Sequence, residues 1–185
     1  MLTHTMKKLM IALCCQCLAA LAIAQSTPDK PAASEWRTLT DSAFVLQYPE
    51  EWTLDQSGLM GSRFMLFAPQ GSETDDFKEN INLQVTDLGA PGILTLDVFG
   101  EAAADQIKQY ITDAAIVRSE KKGKGDSEFM EVEFTGAQGE RPLHWEQQYR
   151  IKGQFVYILT FTAQKEDFPA YKALAEKIMG TFKPR

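Results

Sequence analysis

Few side chains in this sequence have the type and spacing to do chemistry. The stretch FVLQYPEEW, residues 44–52, sets Glu50 and Glu51 side by side before Trp52, and paired acids beside an aromatic suggest sugar cleavage. Glycoside hydrolysis needs two carboxylates facing one another across a sugar, about 5 to 10 Å apart. Neighbours on one turn cannot do that, so Glu50 and Glu51 read as an exposed turn. His144 is the only histidine after the first few residues, and no Gly-x-Ser-x-Gly elbow presents a serine to it. A serine triad therefore lacks its nucleophile turn. A mononuclear zinc site lacks its several His or Cys ligands. The alternation of β-type residues puts His144 on one strand face with Glu146, Gln148 and Arg150, opposite Glu133 on a neighbouring strand. That predicts a surface histidine paired with an acid.

The segment GSETDDFKEN clusters Glu73, Asp75, Asp76 and Glu79. Calcium favours such oxygens, but the EF-hand spacing and its central glycine are missing. A solvated loop is the better reading. Phe77 sits among these acids. Either it packs back onto a sheet or, with Asp75 and Asp76, it offers a contact to a partner. No phosphate-cradling glycine loop or dinucleotide fingerprint occurs. No cofactor, metal site or catalytic residue is expected.

The other reactive residues, Cys14, Cys15 and Cys17, lie in a segment with the features of an export leader. Lys7 and Lys8 give a positive start, an apolar run spans 9–23, and Ala22-Ile23-Ala24 supplies small residues before a cleavage point. The run is short for a membrane span. Each cysteine follows Leu13, Cys14 or Gln16 rather than a small residue, so the spacing does not indicate a lipid anchor. Without residues 1–24 the chain has no cysteine, which excludes disulfides and thiol catalysis. The formal charge of −6 becomes −8 when Lys7 and Lys8 are removed. A chain this acidic repels phosphate backbones and argues against nucleic acid as a partner. Residues 25–35, rich in Pro and small polar residues, read as a flexible linker, and 36–185 as one domain.

The elements that must position these residues follow from periodicity. Alternating apolar residues predict strands at 36–39, 43–48, 52–54, 63–68 and 80–86. Leu96, Phe99, Ala103, Ile107 and Tyr110 then recur at helical steps, with Thr95 as the cap and Asp97 at the favoured end of the dipole. Strands follow at 115–121, 128–135, 143–151 and 155–162. The last, FVYILTFT, is apolar on both faces and belongs at the centre of a sheet. Lys152-Gly153 reads as the hairpin turn before it. A closing helix covers 168–179, with Asp167 as its cap, Pro169 in its first turn and Gly180 at its end. Pro49 should end the second strand, in a type I turn over Tyr48-Pro49-Glu50-Glu51 that returns Trp52 to the core.

Phe44-Val45-Leu46-Gln47-Tyr48-Pro49 with Trp52, Phe67-Ala68-Pro69, Asn80 to Val85, and the terminal Gly180-Thr181-Phe182 carry a resemblance to the PsbP/DcrB-like superfamily. That superfamily includes PsbP-type, DcrB-type and Mog-type proteins. The resemblance implies an α/β (α+β) fold, an α/β/α sandwich in which an antiparallel sheet of about six to seven strands is flanked by helices on both faces. It implies no shared reaction, since fold does not establish function. Together with the leader it leads to the expectation of an exported, non-catalytic binding or accessory protein of the bacterial envelope, periplasmic or secreted. Its partner would be another envelope protein, and no membrane span would remain after leader cleavage. The alternative is a periplasmic carrier of a small ligand, with Tyr110, Trp145 and Tyr157 gathered in a groove between sheet and helix. An unrecognised hydrolase ranks third.

Overall fold

Why the chain folds around one strand is visible in Phe155–Gln164, whose side chains are buried alternately on both faces. The structure, a computed structural model, describes residues 35–71, 76–92 and 94–185. Ten strands are described: β1 (Trp36–Thr40), β2 (Phe44–Pro49), β3 (Thr53–Asp55), β4 (Phe64–Phe67), β5 (Asn80–Asp87), β6 (Thr112–Lys122), β7 (Phe129–Gln138), β8 (Arg141–Lys152), β9 (Phe155–Gln164) and β10 (Lys183–Pro184). Helix α1 (Leu96–Tyr110) lies between β5 and β6, and α2 (Phe168–Gly180) follows β9. The expected leader, 1–24, and nearly all of the expected linker, 25–35, lie outside the described residues.

Seven strands form one antiparallel sheet in the order β3-β4-β5-β9-β8-β7-β6. β9 is its centre, as its two-sided apolar sequence requires. Two-residue turns, Gly139-Glu140 and Gly153-Gln154, join β7 to β8 and β8 to β9. The second hairpin therefore turns one residue later than the sequence suggests, with Gly153 supplying the positive φ of 59°.

Two apolar cores take alternate residues of β9. Tyr157, Leu159, Phe161 and Ala163 pack with β2, β4, β5 and the α2 residues Ile178 and Met179. Val156 and Ile158 pack with Phe134 and Trp145 and with the α1 residues Phe99 and Ile107. Each large side chain so buried contributes about 1.5–3 kcal/mol. The fold is α+β, mostly antiparallel sheet with two helices. One sheet was expected, but β1, β2 and β10 form a second, three-stranded sheet in the order β1-β2-β10. Its strand β2 sends Phe44, Leu46 and Tyr48 into the α2-side core. β10 is a pair of residues that periodicity could not reveal.

Local chemistry explains most of the element ends. Thr95 caps α1 by accepting the Val98 N–H at 3.3 Å, and Asp97 lies in its first turn. Asp167 makes no side-chain cap on α2, because it is itself in the helical region, although Pro169 does fall in the first turn. Gly180 remains inside α2, and Thr181 takes the cap position. The turn after β2 also differs from expectation. Pro49 still pairs with Trp36, and Trp52 N–H closes on Pro49 C=O at 3.0 Å, so proline is the first residue of the turn. Trp52 is buried in the core and Glu51 is exposed, as the sequence suggests. Glu50 is paired with Arg37 across the β1–β2 sheet.

Candidate functional site: a carboxylate ladder beside α2

On the α2 side of the large sheet the register lines up β6, β7, β8 and β9 residue by residue. Arg118 lies opposite Glu133, which lies opposite Glu146, which lies opposite Phe161. One step along, Glu120, Glu131, Gln148 and Leu159 form the next row. Each row thus runs from charge at the β6 edge to apolar core at β9. β8 is the boundary. Its residues His144, Glu146, Gln148 and Arg150 alternate with apolar Leu143, Trp145 and Tyr149, a pattern that usually marks a solvated face. The structure instead buries all of them but His144: Glu146 is 1% exposed, and the neighbouring β7 acids Glu131 and Glu133 are 2% and 5% exposed. α2 crosses near this boundary and brings Lys172 and Glu176 to the ladder.

Glu133 is the hub. Its Oε1 lies 2.9 Å from His144 Nε2, and its Oε2 lies 2.7 Å from Lys172 Nζ and 2.9 Å from Arg118 Nη2. Burial raises its pKa, but the hydrogen bond and charge of Lys172, with Arg118 and His144, outweigh burial and leave it below the usual value. Glu131 is held at 2.7 Å by Lys122 and is also paired with Arg118. Arg118 is drawn above its usual value because, although burial opposes its charge, Glu131, Glu133, Glu120 and Glu146 surround it.

Glu146 differs from the other acids. Burial pushes its carboxyl up to about 7, reinforced by the Glu131 charge, while Gln148 pulls the other way. Gln148 Nε2 donates to Glu146 Oε1 at 3.3 Å, and Glu146 Oε2 has no hydrogen-bond partner among the described residues. Like charges directly opposite on neighbouring strands are destabilising. Keeping Glu146 protonated beside ionised Glu133 removes that conflict.

His144 is half-buried, not on the surface. Its ring stacks on Phe168 at 3.5 Å between centroids, with 6° between planes. Burial lowers its pKa more than Glu133 raises it, so the ring is neutral at pH 7. The pairing with Glu133 expected from sequence is present, on a diagonal, since Thr135 is the register partner of His144. Nε2 facing a carboxylate places the ring proton there.

The site therefore contains, at Glu146, a carboxyl that titrates near neutrality and, at Glu133, a carboxylate whose two oxygens are both engaged. Among the described residues no group of three or more His, Cys, Asp or Glu side chains could hold a metal ion. Sequence reasoning singled out His144 and Glu133 but missed Glu131, Lys172 and the depth of Glu146. The signal present was the density of long charged side chains at alternate positions of three consecutive strands.

The acidic loop behaves differently from this ladder. Glu73 and Asp75 lie outside the described residues. Asp76 is exposed and holds Arg141 Nη2 at 2.8 Å. Phe77 is 4% exposed and belongs to the α1-side core, with the Arg141 guanidinium 5.1 Å over its ring. It packs onto the sheet, the first of its two expected roles, and is not available as a surface contact. Glu79 is buried and accepts the Gln164 N–H at 3.3 Å. The aromatic groove expected for a ligand carrier does not form. Trp145 and Tyr157 lie in different cores on opposite faces of the sheet, and Tyr110 is 55% exposed. The hairpin register explains it: Trp145 pairs with Thr162 and so shares a face with the even-numbered residues of β9, while Tyr157 lies on the other.

No helix among the described residues is long and apolar enough to cross a membrane. No family model and no curated protein matches the chain. Solved structures do. The solution structure of cyanobacterial PsbP (CyanoP) from Synechocystis sp. PCC 6803 aligns with TM-score 0.60 at 15% identity, covering 87% of this chain and 98% of its own. LpqN of Mycobacterium tuberculosis, involved in cell envelope biogenesis, aligns with TM-score 0.60 at 13% identity, over 83% and 92%. The Saccharomyces cerevisiae Ran-binding protein Mog1p aligns with TM-score 0.51 at 10% identity, over 81% and 95%. At such identities the likeness concerns the fold alone.

Proposed function

We propose that this chain, which has the PsbP/DcrB/Mog-like fold, is an exported, non-catalytic binding or accessory protein of the bacterial cell envelope, acting through contacts with another envelope protein. The observation that carries the reading is how the ionisable groups of the ladder are spent. Glu133, the ionised carboxylate at the hub, is held below its usual pKa and is a weak base, with each oxygen tied to a cation or to His144. Glu146 carries its open oxygen inside the protein. A general base must reach the proton it abstracts, and neither carboxyl presents such an oxygen to solvent. The ladder instead works as electrostatic glue between β6, β7, β8 and α2.

The layering agrees with this reading. We take α1 and α2 to cover opposite sides of the large sheet, with the three-stranded sheet sharing the α2 side. The outer rim of the ladder, Arg118, Glu120 and Lys122, is then a firm, mixed-charge surface on an edge strand. Descriptions of similar folds, one involved in cell envelope biogenesis and one Ran-binding, fit an accessory role. The leader-like residues 1–24 fit export to the periplasm or beyond.

Two measurements test it. The full chain expressed in a Gram-negative bacterium should appear in the periplasmic fraction with the mass expected after loss of 24 residues. An uncleaved cytosolic product refutes the export claim. Purified protein should turn over no hydrolase substrate. Turnover that is lost in Glu133→Gln or Glu146→Gln overturns the non-catalytic reading.

A further inference from the structure

Buried arginine is almost always paired with an acid, and Arg150 is an exception. It is 7% exposed, and no carboxylate among the described residues pairs with it. Its guanidinium stacks 4.2 Å over the Phe129 ring. Nη2 donates to Gln148 Oε1 at 3.1 Å, and Nη1 reaches Ser127 C=O at 3.4 Å. Nε–H is buried and has no acceptor among the described residues. Both acceptors are neutral. Arg118, two strands away, also has a buried Nε without a hydrogen-bond partner, but Glu120, Glu131 and Glu133 ring it and supply the countercharge that Arg150 lacks.

We propose that Arg150 is the anchor of a subsite for a ligand carrying a carboxylate. A guanidinium presents five N–H donors, and only two contacts use them in this structure. The unpaired Nε–H and the second hydrogen of Nη2 lie on one edge of the guanidinium, in the side-by-side geometry that a carboxylate meets with both oxygens; because Nε itself is enclosed, the ligand has to enter past the exposed β6–β7 turn. Phe129 holds the guanidinium plane in place. The β6–β7 turn borders the group, and its residues 123–127 are all exposed. Ser127 C=O, the turn's contact with Nη1, is a long one and is readily exchanged.

The charge balance selects a singly charged anion. One desolvated guanidinium needs one negative charge. A phosphate dianion entering a chain with formal charge −6 meets more repulsion than it relieves. Burial alone depresses the pKa of Arg150, with no charged neighbour restoring it, which agrees with a missing countercharge. The subsite does not depend on whether the chain also docks on a protein, and its test is separate from the tests of export and turnover.

Full-length protein is titrated with sodium acetate, sodium phosphate and sodium chloride at matched ionic strength, and its thermal midpoint is followed. Acetate should raise Tm above the chloride control by about 3–6 °C at ten times its Kd. Arg150→Met, which removes the charge and keeps the volume, should lose that rise. NMR of the wild-type arginine Nε–H groups gives a readout that needs no variant: the Arg150 resonance should move with acetate and stay with chloride. The proposal is overturned by the absence of an acetate-specific rise, by an equal rise in Arg150→Met, by a rise with phosphate alone, or by an Nε–H resonance that does not move.

Discussion

Glu146 turns a local burial into a pH dependence with a definite sign. Its folded pKa, about 7, lies above the ordinary 4.5, so the folded state holds the proton more tightly than the unfolded chain. The associated stability is complete below pH 4.5 and is lost as pH rises through 7. The loss amounts to up to about 3 kcal/mol. Glu146→Gln keeps an oxygen for Gln148 and never ionises. Urea unfolding should find it more stable than the parent at pH 8 by about 1–3 kcal/mol, and equal to it near pH 4. A difference between variant and parent that is the same at both pH values would contradict the assignment. His144 runs the other way: its folded pKa is lowered by burial, so its contribution is present above 6.5 and fades as pH falls. Lys172 is the partner that α2 lends to Glu133. Lys172→Met should cost about 1–2 kcal/mol at pH 7, and NMR titration should show the Glu133 pKa rising.

At the scale of elements, the junction between α1 and β6 depends on a residue in a third element. α1 runs straight into β6, and the crossing passes over Gly136 of β7. A Cβ there would lie 2.4 Å from Ile111 Cγ2 and 2.8 Å from Thr112 C=O. Backbone cannot yield as a flexible side chain can. Gly136→Ala should destabilise the protein by about 1–3 kcal/mol, measurable by chemical denaturation. The other end of α1 is held by its cap, and Thr95→Ala should cost about 1 kcal/mol while leaving the pH dependence of Glu146 unchanged. β6 itself is a long edge strand. Its register shifts between Thr112 and Ala115 and between Ile116 and Arg118 bend an edge that would otherwise be flat and open to strand pairing.

The whole molecule is organised outward from β9, which feeds both cores. Amide hydrogen exchange should therefore be slowest in β8 and β9 and fastest in β3 and β10, which are short and lie at the edges of their sheets. Uniform protection across the large sheet would contradict a centre-out hierarchy. Most strands and both helices were legible in the sequence because strand and helix periods are local properties of the chain. Thr95 as a cap, Trp52 in the core and β9 at the centre follow from the residues themselves. That β1 and β2 stand apart from the large sheet was not legible, since whether β2 joins β4 or β10 depends on contacts distant in sequence. Nor was the burial of Glu131, Glu133 and Glu146. Alternation reports which residues share a face, and the β8–β9 register separates Trp145 from Tyr157. What covers that face is decided only when α2 closes over β9 and carries Lys172 to the ladder. Arg150 shows the same limit: its type and face are written in the chain, but its missing countercharge exists only in three dimensions, because burial and pairing are properties of neighbours that the linear order does not specify.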